Sequence, residues 1–442
     1  MKCLLPVILF FCFTHAFSQY PVILSQRDQA AVIDDLLDDR LTNLLPQLMR
    51  REGFDMWVII SREYNEDPII KTMLPATWMA SRRTTMLVIF DKGSNRGLEF
   101  LAVARYDVGK IFKRSWNPET NPDQWGQLAK IISERNPKKI GINKSATFGH
   151  ADGISANDYD KLMGVLSTEF QKRVVTAETL GVSWLETRSE KEMIIYPQIC
   201  RIAHAIIIQG FSNEVIQPGV TTTEDVMWWC REEIKRLKLD TWFHPTVDVQ
   251  RNEPDSVTAK RPQPLVILPG DLLHVDFGIT YLRLNTDTQE LAYVLKAGET
   301  EVPAFLQNSF HKGNRLQDIL TGNFKAGKTG NEILQLSRQQ AIAEGLTPSI
   351  YTHPIGYHGH AAGTNFGMWD MQSGVPGTGE YAMHYNTAYS IELNCTVNVT
   401  EWKKKIRIAL EEDGFFNERG FRYIDGRQTE IFQIPGSLGD LR

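Results

Sequence analysis

Four carboxylates and one imidazole in the second half of the chain are residue types that bind a pair of divalent cations. Asp276 and Asp287 lie eleven residues apart in GDLLHVDFGITYLRLNTDTQE. The other candidates are His360 in GHAAG, Glu392 in YSIELN and Glu411 in IALEEDGFF. Oxygen ligands with one imidazole suit Mn²⁺, Fe²⁺, Co²⁺ or Zn²⁺ rather than metals selected by thiolates. Four negative charges balance two divalent cations, which together can activate a water for hydrolysis.

The two aspartates must be positioned by neighbouring strands. Asp276 lies in the strand pattern LLHVDFG, in which Val275 and Phe277 face the opposite, apolar side. Asp287 follows after a segment of hairpin length. We therefore predict two adjacent antiparallel strands that bring both carboxylates to one face of a sheet.

The remaining candidates are each ambiguous when taken alone. Small residues around His360 allow close backbone approach, but His353 and His358 in the same segment leave the assignment of a histidine open. Glu392 alternates with apolar residues in a strand-like stretch. Glu411 opens an acidic triplet, whose ordinary interpretation is a solvated turn. The metal hypothesis therefore depends on the combination of residues.

The order and contexts of these residues resemble the pita-bread metallopeptidases. This family includes Xaa-Pro aminopeptidase, prolidase and methionine aminopeptidase, with metal-free creatinase as a relative. PGDLLHVDFG and its second aspartate are similar to the first motif of the family, and GHAAG resembles its Gly-His-x-x-Gly segment. YSIEL resembles the segment that carries the first glutamate. LEEDGFFNERG resembles the final glutamate strand, which selects Glu411 over Glu412 and ranks Glu430 lower.

The resemblance implies a role for each residue. Asp276 holds one metal, His360 and Glu392 hold the other, and Asp287 and Glu411 bridge both. Glu392 also passes a proton from the attacking water to the leaving amine, and His360 belongs to the catalytic set. The implied activity is a metal-dependent aminopeptidase that hydrolyses an N-terminal Xaa-Pro peptide bond through a dimetal-bridged hydroxide. Mn²⁺ is the expected metal, and Co²⁺, Zn²⁺ and Fe²⁺ are alternatives.

Two histidines of these peptidases are not in their usual places. One normally precedes the first metal aspartate, where this chain reads DSVTAK. A second, which contacts the substrate, normally follows the ligand histidine, where this chain reads Met368-Trp369-Asp370. These differences motivate an alternative in which the same fold acts on a small molecule, as a lyase or amidinohydrolase-like enzyme. A third hypothesis is a non-catalytic binding protein.

The chain reads as two domains that follow an export signal. One lysine, a short apolar run and a small-x-small site predict a signal peptide over residues 1–18. The predicted location is therefore periplasmic or secreted, without a stable membrane anchor. Strand patterns MWVII, TMLVIF, LEFLAVA and KKIGIN alternate with helical ones, so residues 20–178 predict an α/β domain, which resembles the creatinase-type N-terminal domain. Residues 185–442 mix both patterns and predict an α+β catalytic domain, pita-bread by resemblance.

The pattern of the second domain gives specific expectations for its elements. Helical periodicity covers residues 188–214, 222–238, 299–312 and 330–344, and strand-like runs cover 264–268, 271–279 and 290–295. Cys200, Cys230 and Cys395 remain after signal removal, either as buried free thiols or with one Cys200–Cys230 bridge.

The composition and the resemblance together indicate the partners. The net charge of −5 provides no basic surface for nucleic acid. The expected partner is a peptide substrate, and a homodimer is expected from the resemblance alone.

Overall fold

The computed structural model describes residues 20–436, so the predicted signal peptide lies outside the described residues. The first domain contains a sheet of strands β1 (Met56–Arg62), β2 (Thr84–Asp91), β3 (Leu98–Val103), β4 (Lys113–Arg114), β5 (Ile140–Ile142) and β6 (Val174–Thr176). Its helices are α1 (Gln26–Asp39), α2 (Leu45–Arg51), α3 (Pro68–Met73), α4 (Gln124–Arg135), α5 (Ala156–Val165), α6 (Thr168–Gln171) and α7 (Glu178–Glu186). A π-helical turn, Arg40–Leu44, joins α1 to α2.

The first sheet is covered on both faces. Its strand order is β4-β3-β2-β1-β5-β6, with β1 antiparallel to β2 and parallel to β5. Along β1, Trp57 and Ile59 belong to one buried core, whereas Met56 and Val58 belong to another. A strand buried on both sides reads as a continuous apolar run, which explains the pattern MWVII. The predicted α/β domain is confirmed.

The second domain combines long helices with several small sheets. Its helices are α8 (Glu190–Gly210), α9 (Thr223–Arg236), α10 (Asp255–Thr258), α11 (Ala304–Gly322) and α12 (Gly330–Ala343). Its strands are β7 (Thr246–Gln250), β8 (Leu272–Phe277), β9 (Thr280–Tyr281), β10 (Leu284–Asn285), β11 (Thr288–Val294), β12 (Pro348–Ile350), β13 (His353–Pro354), β14 (Thr387–Ser390), β15 (Leu393–Val399), β16 (Lys404–Leu410), β17 (Asp413–Asn417), β18 (Gly420–Tyr423) and β19 (Phe432–Ile434). The sheets have the orders β19-β11-β8-β7, β13-β14-β17-β18, β12-β15-β16 and β10-β9.

Two of the expected elements differ from the structure. The segment 264–268 is not a strand, and it forms a single bridge between Val266 and Thr222. Pro262 and Pro264 lack the N–H donors that a ladder needs, which explains this difference. The helix expected over 299–312 begins after Pro303 and continues to Gly322 as α11.

The pair of strands predicted for the two aspartates is confirmed. Strands β8 and β11 are antiparallel, and Gln289 lies opposite Asp276. The β9–β10 hairpin fills the interval between these strands, and Asp287 immediately precedes β11.

A buried ion-pair network joins the two domains. The Arg40 guanidinium, in the π-helical turn, donates to Glu192 on α8 at 2.7 Å and to the Thr187 carbonyl at 2.7 Å. Arg188 also pairs with Glu192, at 3.1 Å. These three charged side chains are almost fully buried, so the start of α8 is fixed against the first domain.

The described residues contain three free cysteines and no membrane-spanning helix. Cys200, Cys230 and Cys395 are free and buried, as expected, and the alternative Cys200–Cys230 bridge does not form. Within residues 20–436, every helix is too short or too polar to cross a membrane.

Candidate metal centre

The four predicted carboxylates converge at one edge of the β8–β11 pair. Asp276 lies near the end of β8, and Glu411 follows β16 and pairs through its backbone with Gln289. Ligand atoms of Asp276, Asp287 and Glu411 all lie within 4.8 Å of one another. A second group with the same spacing contains Glu392, Glu411 and a histidine. Two overlapping groups that share Glu411 provide ligands for two adjacent cations.

The histidine of this second group is His353, which the sequence left as an alternative. Its Nε2 lies 3.7 Å from Asp287 Oδ2 and 3.6 Å from Glu411 Oε1. The same atom lies 3.8 Å from Glu392 Oε2. Nδ1 is 3.0 Å from the Pro354 carbonyl, which can only accept a hydrogen bond. Nδ1 therefore carries the proton, and the Nε2 lone pair faces the carboxylates, as in metal-bound histidines.

The predicted ligand His360 lies at the edge of this group. Its ring centroid is 4.7 Å from that of His353, and its side chain is only partly exposed to solvent. One of its nitrogens comes within 4.8 Å of ligand atoms of Asp287 and His353. His360 follows a glycine and fits the whole pattern Gly-His-x-x-Gly, whereas His353 follows Thr352 and fits only His-x-x-Gly. The sequence pattern therefore selected His360, whereas the pairing of β13 with β14 places His353 among the carboxylates.

The electrostatics of the group fit two bound cations. Asp276 Oδ1 and His353 Nε2 are buried and have no hydrogen-bond partner among the described residues. Burial, and then the charge of Glu411, raise the pKa of Asp276 to about 8. The same two causes raise the pKa of Asp287 and the pKa of Glu392. Carboxylates in such surroundings cost free energy unless cations compensate them, and oxygen with imidazole is a suitable donor set.

Gln289 holds two of these carboxylates in place, and sequence reasoning did not identify it. Its Nε2 donates to Glu392 Oε1 at 2.5 Å and to Glu411 Oε2 at 2.8 Å. Its Oε1 faces His274 Nε2 at 2.9 Å. The available signal was the alternation of β11, which places Gln289 on the same face as Asp287.

A cavity of about 550 Å³ opens beside His360 and lies between the two domains. Lys71 and His150 of the first domain line it, together with Trp242 and His358 of the second. Burial is the main cause that lowers the pKa of His358 to about 3 and that of His360 to about 4. Both rings are therefore neutral at pH 7 and can donate or accept a hydrogen bond in the cavity.

The second domain has the arrangement expected for the pita-bread fold, a separate α/β domain precedes it, and the carboxylate–histidine group lies within it. The sequence profile of metallopeptidase family M24 (Peptidase_M24) matches residues 196–413. The chain therefore carries a family M24 domain over this range. The range includes the four carboxylates, His353 and His360.

Solved structures share the fold over nearly the whole chain. X-Pro aminopeptidase from Thermotoga maritima MSB8 has a TM-score of 0.61 at 16% identity, covering 88% of this chain and 99% of that chain. Xaa-Pro dipeptidase from Bacillus anthracis has a TM-score of 0.56 at 15% identity, covering 92% and 100%. Prolidase from Pyrococcus horikoshii OT3 has a TM-score of 0.53 at 15% identity, covering 91% and 99%. A comparison with curated proteins found no match.

Proposed function

We propose that the protein is a metal-dependent aminopeptidase that hydrolyses the N-terminal Xaa-Pro peptide bond. The observation that carries this proposal is the convergence of four carboxylates and one imidazole inside a family M24 domain. The names of the similar solved structures, which include an X-Pro aminopeptidase and an Xaa-Pro dipeptidase, support the choice of bond.

The proposed ligand set differs from the sequence prediction at the histidine. Asp276 would hold one cation, and His353 with Glu392 would hold the other. Asp287 and Glu411 would contact both, because each belongs to groups on the two sides. His353 takes the place of the predicted ligand, because its Nε2 has no hydrogen-bond partner within residues 20–436 and faces Asp287, Glu392 and Glu411. Mn²⁺ remains the expected metal, with Co²⁺, Zn²⁺ or Fe²⁺ as alternatives.

His360 then becomes a residue that contacts the substrate. It follows His353 by seven residues and lines the cavity, where a neutral imidazole can hydrogen-bond to the peptide. If His353 is the ligand, His360 is the second histidine that the family resemblance predicts after the ligand histidine. This removes part of the motive for the alternative, a lyase or amidinohydrolase-like reaction on a small molecule.

Glu392 is the proposed proton carrier. Bound divalent cations lower the pKa of a water and polarise the scissile carbonyl. Gln289 donates to Glu392 Oε1, so Oε2 is left to take a proton from the attacking water and pass it to the leaving amine. The side chain of Glu392 is 17% exposed, so a water can reach it.

A peptide panel tests the proposal. Gly-Pro-Ala, Gly-Ala-Ala, the dipeptide Gly-Pro and N-acetylated Gly-Pro-Ala are incubated with the Mn²⁺-loaded protein and with the metal-free protein. We expect release of glycine from the peptides that have a free amine and proline in second place, with metal only. Equal rates on Gly-Pro-Ala and Gly-Ala-Ala would remove the proline specificity. No hydrolysis of any of these peptides by the loaded protein would favour the small-molecule alternative.

A further inference from the structure

A second group of buried, ligand-type side chains lies behind the metal centre. We propose that His204, Glu290 and Glu412 bind one divalent cation at a site separate from the dinuclear centre. Nε2 or Nδ1 of the histidine and one oxygen of each carboxylate all lie within 4.8 Å of one another. This inference does not depend on the proposed peptidase activity.

The strand geometry separates the two sites. Gln289 and Glu411 form a backbone bridge, and their side chains meet on the side of the dinuclear centre. Successive residues of extended chain point to opposite faces, so Glu290 and Glu412 point away from that centre. Helix α8 packs against β8 and β11 on this second face and supplies His204.

One carboxylate of the group, Glu290, has a buried oxygen that lacks a hydrogen-bond partner among the described residues. Glu290 is 3% exposed, and this oxygen is its Oε2. Glu412 is 1% exposed. Its Oε1 accepts from the backbone N–H of Gln428 at 2.8 Å, and its Oε2 faces His204 Nε2 at 2.9 Å. Two buried carboxylates side by side repel each other, and a divalent cation between them would remove this repulsion.

The imidazole is oriented as a ligand would be. Nδ1 of His204 lies 3.3 Å from Asp425 Oδ2, and Arg201 pairs with the other oxygen of Asp425. A carboxylate that accepts from Nδ1–H leaves Nε2 free for a metal, which is the usual arrangement around a metal-bound histidine. A protonated imidazole would instead satisfy Glu412 and Asp425, but it would leave Glu290 Oε2 without a partner. A bound metal therefore gives Glu290 Oε2 a partner, which a proton on His204 does not.

The donor set suits a borderline cation. One imidazole nitrogen and two carboxylate oxygens bind Zn²⁺, Mn²⁺ or Co²⁺, with about 2.0–2.2 Å to each ligand atom for zinc. Two negative charges balance a divalent ion, so the occupied site would be neutral.

Zinc counting on the full chain tests the proposal. Wild type, Glu290→Gln, His204→Gln and the double variant Asp276→Asn/Asp287→Asn are dialysed, loaded with Zn²⁺, gel-filtered and analysed by mass spectrometry of the metal. We expect about three zinc ions in wild type, about two in each single variant and about one in the double variant. His311→Gln, which removes an exposed histidine that belongs to neither group, should bind as much zinc as wild type.

The zinc counts distinguish a bound cation from a protonated His204. The proposal is overturned if Glu290→Gln and His204→Gln both retain the wild-type zinc count, or if wild type binds about two ions and the single variants do as well. If the single variants fail to fold, zinc anomalous scattering from wild-type crystals decides the question. A peak between Glu290 and Glu412 supports the site, and its absence at full occupancy of the dinuclear centre contradicts it.

Discussion

At the scale of single residues, the two neighbouring histidines have different proposed tasks. His353 Nε2 faces three carboxylates, whereas His360 lines the cavity. His353→Ala should therefore lower both the bound metal and kcat/KM, the latter by about 10³-fold, because a ligand of one cation is lost. His360→Ala should keep the bound metal and lower kcat/KM by about 10²-fold, because only a contact to the substrate is lost.

Metal analysis and steady-state kinetics on the same preparations check this pair of variants. The assignment is reversed if His360→Ala loses metal while His353→Ala retains it. His244→Ala, which removes an exposed histidine beside Trp228, is the matched control and should resemble wild type in both measurements.

Gln289 allows a test of how the carboxylates are held. Gln289→Leu removes the donor to Glu392 and Glu411 while keeping a similar volume. Partners of metal ligands are worth about 10–100-fold in metal affinity, so the apparent Kd for Mn²⁺ should rise by about that factor. Isothermal titration measures the Kd, and the surface variant Gln335→Leu serves as control. An unchanged Kd in Gln289→Leu would show that the amide has no role in holding the ligands.

At the scale of elements, the cavity wall depends on one close contact. A Cβ added at Gly359 would come within 2.2 Å of the Trp242 ring, which itself contacts His360. Gly359→Ala should therefore displace Trp242 and lower kcat/KM by about tenfold, while bound metal stays the same. Gly149→Ala, beside the cavity-lining His150, has nothing within 4 Å of the added Cβ and should resemble wild type. Equal kinetics for both variants would contradict this role of the contact.

The interdomain network predicts a large effect on stability. Arg40→Met leaves Glu192 buried with one cation fewer, since Arg40 and Glu192 are 0% and 1% exposed. Removal of one partner of a buried ion pair costs about 3–5 kcal/mol, and the free energy of unfolding should fall by that amount. Urea denaturation measures it. A change of less than about 1 kcal/mol, as for an exposed pair such as Lys235–Asp240, would contradict the prediction.

The sequence predicts an element correctly where the apolar periodicity and the spacing of turns indicate the same structure. Asp276 and Asp287 were placed correctly because strand alternation and hairpin length both constrain them. His353 was not selected, because the pattern Gly-His-x-x-Gly favours His360 and the two-residue strand β13 leaves no periodic signal of its own. Gln289 and the buried Glu290 were missed for another reason. Their importance comes from side chains that are distant in sequence, which no local pattern reveals.

At the scale of the whole molecule, stability should depend jointly on pH and metal. Without cations, burial raises the pKa of Asp276 and that of Glu290 to about 8, against about 4 in the unfolded chain. Between about pH 4 and about pH 8, the folded protein therefore binds more protons than the unfolded chain. The stability that these carboxyls contribute is thus full below about pH 4 and is lost as the pH rises to about 8.

Thermal unfolding in a chelator and in excess Mn²⁺ checks this linkage. The Tm of the metal-free protein should fall between pH 5 and pH 8, and metal should raise the Tm most at pH 8, because cations replace the protons. A metal-free protein that is more stable at pH 8 than at pH 5 would contradict the prediction.

The most direct test of the central claim is Gly-Pro-Ala hydrolysis followed during Mn²⁺ titration of the metal-free protein. The proposed centre predicts no hydrolysis without metal, the maximal rate once about two ions are bound at the dinuclear centre, and a rate about 10³-fold lower in His353→Ala at the same metal concentrations. Hydrolysis by the metal-free protein, or a wild-type rate in His353→Ala, would contradict the claim that these carboxylates and this histidine form the catalytic centre.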